Sequence, residues 1–317
     1  MCGRGFARGI VMMTEQDDSR RLDLWRRLYE GKTFPVMTVL FALLILWYVG
    51  AVYMNSDRLI DQYERNKVEW SWQQLTEDAW SMERPILPAP QQIVGELQKT
   101  VIEKKVTSKR SLVYHSFVTI SSTLVGFAFG AVLGILLAVG IVHVETLDRS
   151  LMPWIIASQT VPILAIAPMI IVVLGHLGLT GLVPKAIISM YLCFFPITIG
   201  MVKGLRSPDV LQLDLMKTYS ASPVQVFWML RLPASVPFLF ASLKVAIAIS
   251  LVGAIVAELP TGAIEGLGAR LLAGSYYGQT IQIWSALVAA SVLGMLLVWA
   301  VTLTERLVLG RTGREAV

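Results

Sequence analysis

Residues 207–237 read SPDVLQLDLMKTYSASPVQVFWMLRLPASVP, and the rest of the chain is organised around them. They lie between apolar runs long enough to cross a bilayer, yet they are built like a small helix-turn-helix. Ser207 before Pro208 has the chemistry of a helix N-cap and first helical position: the serine oxygen accepts from an unpartnered N–H, and proline has no N–H to leave unpaired. Ser222 before Pro223 repeats the signal. Between the two, Leu211, Leu215 and Tyr219 recur every fourth residue. After Pro223, the large residues Val224, Phe227 and Trp228 fall at i, i+3 and i+4, so each short helix gains one apolar face. Phe227 and Trp228, set beside Lys217 and Arg231, have to be buried somewhere, either at lipid headgroups or in the groove of another protein.

The composition sets the surroundings. Of 317 residues, 55% are hydrophobic and 15% charged, which is too apolar for an ordinary soluble domain of this length and points to a membrane. The formal net charge of +5 does not make a nucleic-acid surface, because the basic residues sit at the ends of apolar runs and not in one stripe. Cys2 and Cys193 offer neither a disulfide framework nor a metal site. Cys193, inside an apolar run, reads as a small packing residue.

Outward from the central loop the chain divides into six apolar segments. Residues 1–35 are polar and carry Arg4, Arg8, Arg20, Arg21, Arg26, Arg27 and Lys32. That lead-in is too long for a cleaved signal, so 36–54 reads as a retained first span with its N-terminal side in the cytoplasm. Residues 55–110 form the one sizeable polar segment, with Trp70, Trp72 and Trp80 suited to a bilayer surface. Its second half, Ile86-Leu87-Pro88-Ala89-Pro90, leads into a helix. Residues 111–142 carry no charge except one available to His115. Gly126, Gly130 and Gly134 put three positions without side chains on one helical face, either to receive a neighbouring helix or as ordinary membrane-helix composition.

Residues 151–174 are uncharged and contain Pro153, Pro162 and Pro168. A proline in a span frees a backbone carbonyl that a neighbouring helix or a watery path must satisfy. Gln159, Thr160 and Pro162 are therefore candidates for a lining of the pathway, or polar glue between helices. A fourth span follows at 185–202 and a fifth at 238–257. Lys244 in the fifth is free to snorkel or to pair with Asp214, and Glu258, at its far end, is a further pathway candidate. The sixth span covers 281–304, before a tail, 307–317, with Arg311 and Arg314. Alternation places Lys203, Arg206, Lys217 and Arg231 on the inner side, against Lys185 and Arg270 outside, which favours both termini in the cytoplasm.

The chain contains no Gly-x-x-x-x-Gly-Lys-Ser/Thr phosphate loop, no carboxylate near the middle of a span and no internal repeat, so active transport would need energy from another subunit. An intramembrane enzyme is the alternative of a different class. His115, His143 and His176 lack any paired spacing, and neither Gly-x-Ser-x-Gly nor His-Glu-x-x-His occurs. A purely structural scaffold has no use for a capped, aromatic-bearing loop.

In order and spacing, Asp214, Ser220-Ala221-Ser222, Phe227, Leu232-Pro233, Pro237 and Ser242-Leu243-Lys244 closely resemble the cytoplasmic loop shared by permease subunits of bacterial binding-protein-dependent ABC importers. In that family the loop opens with Glu-Ala-Ala, the EAA motif, and has a glycine six residues after the Glu. Asp214 stands on the Glu, Leu215 and Met216 on the alanines, and Ser220 on the glycine. Further stretches are similar to the nitrate, sulfonate and taurine branch: Leu87-Pro88-Ala89-Pro90, Gln159 with Pro162, Ala165 and Pro168, and residues 174–178. Phe194-Phe195-Pro196, Gly204-Leu205-Arg206, Ala257-Glu258 and Gly266-Leu267-Gly268 follow the same branch. The resemblance covers about residues 86–306.

This resemblance implies an all-α membrane protein of the bacterial inner membrane, with six transmembrane helices in the type I importer fold and its MetI-like core. Within it, residues 111–306 are the permease core and 204–236 the coupling loop. It implies a homodimer surrounded by lipid, two cytoplasmic ATPase subunits that hold ATP and Mg, and a periplasmic or surface-tethered solute-binding protein. No cofactor, metal or catalytic residue is expected on the chain itself. ATPase coupling would fall to Asp214, Leu215, Tyr219, Ser220, Ser222, Phe227, Trp228, Leu232, Pro233 and Pro237. The solute would be sulfonate-, taurine- or nitrate-like, or alternatively a pyrimidine vitamin precursor or an aromatic acid.

Overall fold

The computed structural model describes residues 33–260 and 264–312, and its regular elements are all helical. Cys2, the basic residues between Arg4 and Lys32, and Arg314 lie outside the described residues. The chain divides into two compact units, one ending at Gln92 and the other beginning at Ile93.

In the first unit, helix α1, Thr33–Asn66, is 34 residues long. The apolar run expected at 36–54 is only its first part. The helix continues because Val52, Leu59, Ile60 and Tyr63 keep an apolar stripe going among charged neighbours. That stripe receives Leu75 and Ala79 of α2, Trp72–Ser81, which folds back along α1. Ser71 caps α2 by accepting from the Gln74 N–H at 3.3 Å. Asn55 is fully buried, and all its side-chain capacity is used: Nδ2 donates to the Ala79 and Leu87 carbonyls, and Oδ1 accepts from the Ile86 and Leu87 N–H groups. The Trp80 indole donates to the Tyr48 carbonyl. Of the three tryptophans expected at a bilayer surface, Trp70 and Trp80 are half-buried in this hairpin and Trp72 is exposed.

Helix α3, Pro90–Leu97, crosses the boundary between the units and, in the second, runs into a wide π-turn, Gln98–Glu103, ahead of α4, Leu112–His143. Ser111 caps α4, accepting from the Val113 N–H. After α4 the segment expected to be one span at 151–174 is two helices, α5, Glu145–Ser158, and α6, Ile163–His176, bent by 100°. Pro153 and Pro168 sit inside these helices, whereas Pro162 opens the second and marks the break. Helix α7, Leu182–Leu205, follows, then two short helices, then α10, Leu232–Ala257, α11, Leu267–Tyr276, and α12, Thr280–Thr312. Among the described residues, five helices are long and apolar enough to cross a membrane, or six if the bent pair counts as one span.

Helix α7 is the centre of this unit, with α4 on one side and α10 on the other. A methyl group at Gly126 would come within 2.4 Å of Ser189 Cβ, and one at Gly130 within 2.2 Å of Cys193 Sγ. At Gly134 it would lie 2.8 Å from the Phe194 carbonyl oxygen. The two backbones therefore touch along the glycine stripe, which in lipid is a main source of helix association. On the α10 side, Gly200 and Gly204 make the same close approach to Ser242 and Ser235. Ser189 Oγ donates to the Ser250 carbonyl and Ser250 Oγ to the Thr123 carbonyl, each at 3.0 Å, joining all three helices.

Candidate functional site

The central loop begins as α7 ends, where Arg206 Nη2 reaches Asp148 Oδ2 at 2.7 Å and ties the exit to α5. The first short helix, α8, is Val210–Thr218, and its cap is Asp209 in a capping box with Gln212, not Ser207 before Pro208. Ser207 Oγ instead donates back to the Gly204 carbonyl at 2.7 Å. A serine spent on closing the preceding helix is not available to open the next, and the aspartate two residues on has the extended backbone a cap requires. Asp214 pairs with Lys217 one turn along, at 2.8 Å. Lys244 does not take part, because its ammonium lies 2.5 Å from Glu305 on α12.

Tyr219 ends α8, and Ser220 makes the turn with φ of 54°, in the left-handed region that glycine enters without strain. Ser222 then caps α9, Pro223–Val226, in a second capping box, with Gln225. The chain continues through a π-turn, Phe227–Arg231, straight into α10. The wide turn lies directly before Pro233, which has no N–H to offer and would crowd the carbonyl four residues back. Leu232 and Pro233 form the first turn of α10, and Pro237 lies inside it.

The aromatic pair divides its duties. Phe227 is half-buried: its ring meets His143 at 5.2 Å and packs on the cluster around Ile141, Met201 and Leu205. The expectation that it projects outward with Trp228 is therefore corrected. Trp228 touches the Phe227 ring edge at 5.5 Å and is 62% exposed. It stands out with Leu211, Leu215, Tyr219 and Met229, the most exposed of which are Leu211 at 77% and Tyr219 at 76%.

At the opposite end of the bundle the polar groups turn inward. Glu258 closes α10 and is fully buried; its carboxylate accepts from the Thr119 hydroxyl, the Gly268 N–H at 3.0 Å and the Lys185 ammonium at 3.3 Å. Thr119 Oγ1 accepts from the Leu267 N–H, and His115 Nδ1 from the Gly266 N–H. Gly266 has φ of 120°, and a Cβ there would overlap the Glu258 carboxylate. Lys185 also donates to the Glu265 carbonyl at 2.8 Å. The Glu265 side chain stays below the usual carboxylate range because the Tyr114 hydroxyl and the Lys109 ammonium both stabilise its charged form. Gln159, Thr160 and Pro162 lie exposed at the α5–α6 break, where Thr160 Oγ1 donates to the Ala157 carbonyl.

Residues 130–311 match the family described as binding-protein-dependent transport system inner membrane component. The chain belongs to this family. The permease is thus a multi-pass inner-membrane component of an ABC importer, and the matched stretch holds both the central loop and the helices that carry it.

Among curated relatives, a formylaminopyrimidine transport permease of Halalkalibacterium halodurans is 33% identical over 184 residues, 58% of this chain and 68% of the relative. A riboflavin transport system permease of Chloroflexus aurantiacus is 28% identical over 222 residues, 70% and 79% of the two chains. A Bacillus subtilis protein named for aliphatic sulfonates transport is 25% identical over 221 residues, 70% and 76%. These names span chemically different solutes.

Sequence reasoning left His115, Thr119 and Lys185 of the permease out of any site. Lys185 stands alone at the start of an apolar run and His115 and Thr119 are two among several polar residues opening another, and the signal that joins them is Gly266-Leu267-Gly268, whose backbone N–H groups need acceptors.

Proposed function

We propose that this permease works as a homodimer whose residues 209–231 dock into a cytoplasmic ATPase subunit that holds ATP and Mg, while a solute-binding protein delivers cargo at the opposite end. One observation carries this reading: two capped short helices, the second continuous with α10, hold a row of exposed large apolar side chains between α7 and α10. Such a row needs a partner groove, and capping boxes at Asp209 and Ser222 hold it in one shape before contact. The basic residues Lys203, Arg206, Lys217 and Arg231 around it favour a cytoplasmic location, with both termini on the same side. Nucleotide-driven closure of the ATPases would then bias the helices between two packings.

The test is co-purification of the ATPase with Tyr219→Ala/Trp228→Ala. Full-length permease in the membrane at normal level with ATPase lost supports the docking surface, and unchanged ATPase recovery and uptake would reject it. For the cargo, a small sulfonate-, taurine- or nitrate-like solute is the first reading. A pyrimidine vitamin precursor is the second, favoured by the formylaminopyrimidine relative and by the ion pairs Lys185–Glu258 and Lys244–Glu305, which engage charges that an anion would otherwise use. Uptake measured against a panel of sulfonates, nitrate and aminopyrimidines separates the two.

A further inference from the structure

The docking surface does not account for a second concentration of charge. Lys99, Lys104, Lys105, Lys109 and Arg110 fall within one short stretch whose only acid is Glu103. The stretch lies at the end of the bundle away from the central loop, for α4 begins there and reaches Phe227 with its last residue, His143. All five basic side chains are exposed. Lys109 is ion-paired with Glu265 at 3.1 Å, and among the described residues the other four have no ion-pair partner. Exposed apolar residues are interleaved with them, including Ile102 at 75% and Val106.

Directly beside this stretch is an apolar cleft of about 660 Å³. It is lined by Val94, Val101 and Leu112 and by Val292 and Leu296 of α12. Val292 and Leu296 belong to a candidate membrane span and are exposed, so the cleft opens toward hydrocarbon. An apolar slot whose lining residues run directly into a chain segment of exposed Lys and Arg has the charge and polarity pattern of one amphiphile, with an alkyl tail and an anionic head. The pattern also accounts for a basic cluster on the side of the membrane where short connections ordinarily avoid Lys and Arg.

We propose that this cleft is a binding site for an anionic phospholipid, with an acyl chain between α3 and α12 and the phosphate held by Lys104, Lys105 and Arg110. The site makes no use of the ATPase surface, and its test is separate. The full-length permease, in complex with its ATPase, is reconstituted in phosphatidylcholine bilayers containing a minor fraction of phosphatidylglycerol. It is then re-extracted in mild detergent, and the retained lipid is measured by mass spectrometry.

Phosphatidylglycerol is enriched over phosphatidylcholine. Lys104→Gln/Lys105→Gln reduces that enrichment roughly tenfold or more, whereas Arg65→Gln/Lys67→Gln in the first unit leaves it unchanged. Val292→Trp, which fills the cleft and keeps every charge, expels the retained lipid, and excess glycerol phosphate does not displace it. Equal retention of the two lipids, or the same enrichment in the lysine variant, would overturn the site. Displacement by glycerol phosphate would make it a soluble-anion site. A Val292→Trp protein that changes its subunit association while retaining lipid would make the cleft a protein contact.

Discussion

Lys185 and Glu258, 73 residues apart in sequence, meet with Nζ 3.3 Å from Oε1 where α7 begins and α10 ends. Glu258 has no exposed surface, and its partners come from α4, α7 and the first turn of α11. The pair joins α7 to α10, and through the other contacts of the same carboxylate α4 and α11 are held at that end of the bundle, away from the central loop.

Removing the cation leaves a buried carboxylate without its counter-charge. Lys185→Met is expected to destabilise the permease by about 3–5 kcal/mol. Glu258→Gln, which keeps an oxygen acceptor for Thr119 or Gly268, is expected to cost about 1–3 kcal/mol. Thermal unfolding of the purified chain in detergent checks the order; a Lys185→Met protein as stable as its parent would deny the pair this role.

At the glycine stripe a single methyl group is decisive. Gly130→Ala drives Cβ into Cys193 Sγ and is expected to lose about 1–3 kcal/mol through overpacking. Adding Cys193→Ala removes the obstructing sulfur and restores part of the loss. Gly310→Ala, with no atom close by, is expected to be neutral or slightly stabilising through helix propensity. The same thermal assay reads all three.

Ser220 holds a left-handed backbone that a serine adopts reluctantly. Ser220→Gly is expected to keep ATPase co-purification at the parent level or above it. Ser220→Val, β-branched at positive φ, is expected to displace α9 and lose the ATPase while the permease still accumulates in the membrane. Equal recovery with both variants would mean that the turn does not set the shape of the docking surface.

Lys244 and Glu305 fasten the other half of α10 to α12. Either Lys244→Met or Glu305→Leu alone is expected to destabilise the chain, because each strands a charge in surroundings that are largely apolar. The double variant is expected to regain most of the loss. A double variant that loses the full sum of the two singles would show that the residues are not coupled.

Much of this arrangement is legible in the sequence, where the physics is local. Ser222, Pro223 and Gln225 lie within one turn and specify their own cap, and the apolar runs announce the long helices. The reach of α1 to Asn66 is not visible, because it depends on Leu75 and Ala79 returning along it. Nor is the 100° bend between α5 and α6: three prolines each permit a break, and contacts with α7, such as the Tyr191 hydroxyl donating to the Ser158 carbonyl, accompany the one that occurs. Asp214 and Glu305 offered Lys244 the same charge, and only the packing of α10 on α12 distinguishes them.

The π-turn at Phe227–Arg231 has a mechanical consequence. Because it joins α9 to α10 without a gap, residues 223–257 form a single rod of 35 residues, roughly 50 Å from tip to tip. A swing of about 5° pivoting near Trp228 corresponds to a displacement of roughly 4 Å at Glu258, less whatever Pro237, inside α10, takes up as a bend.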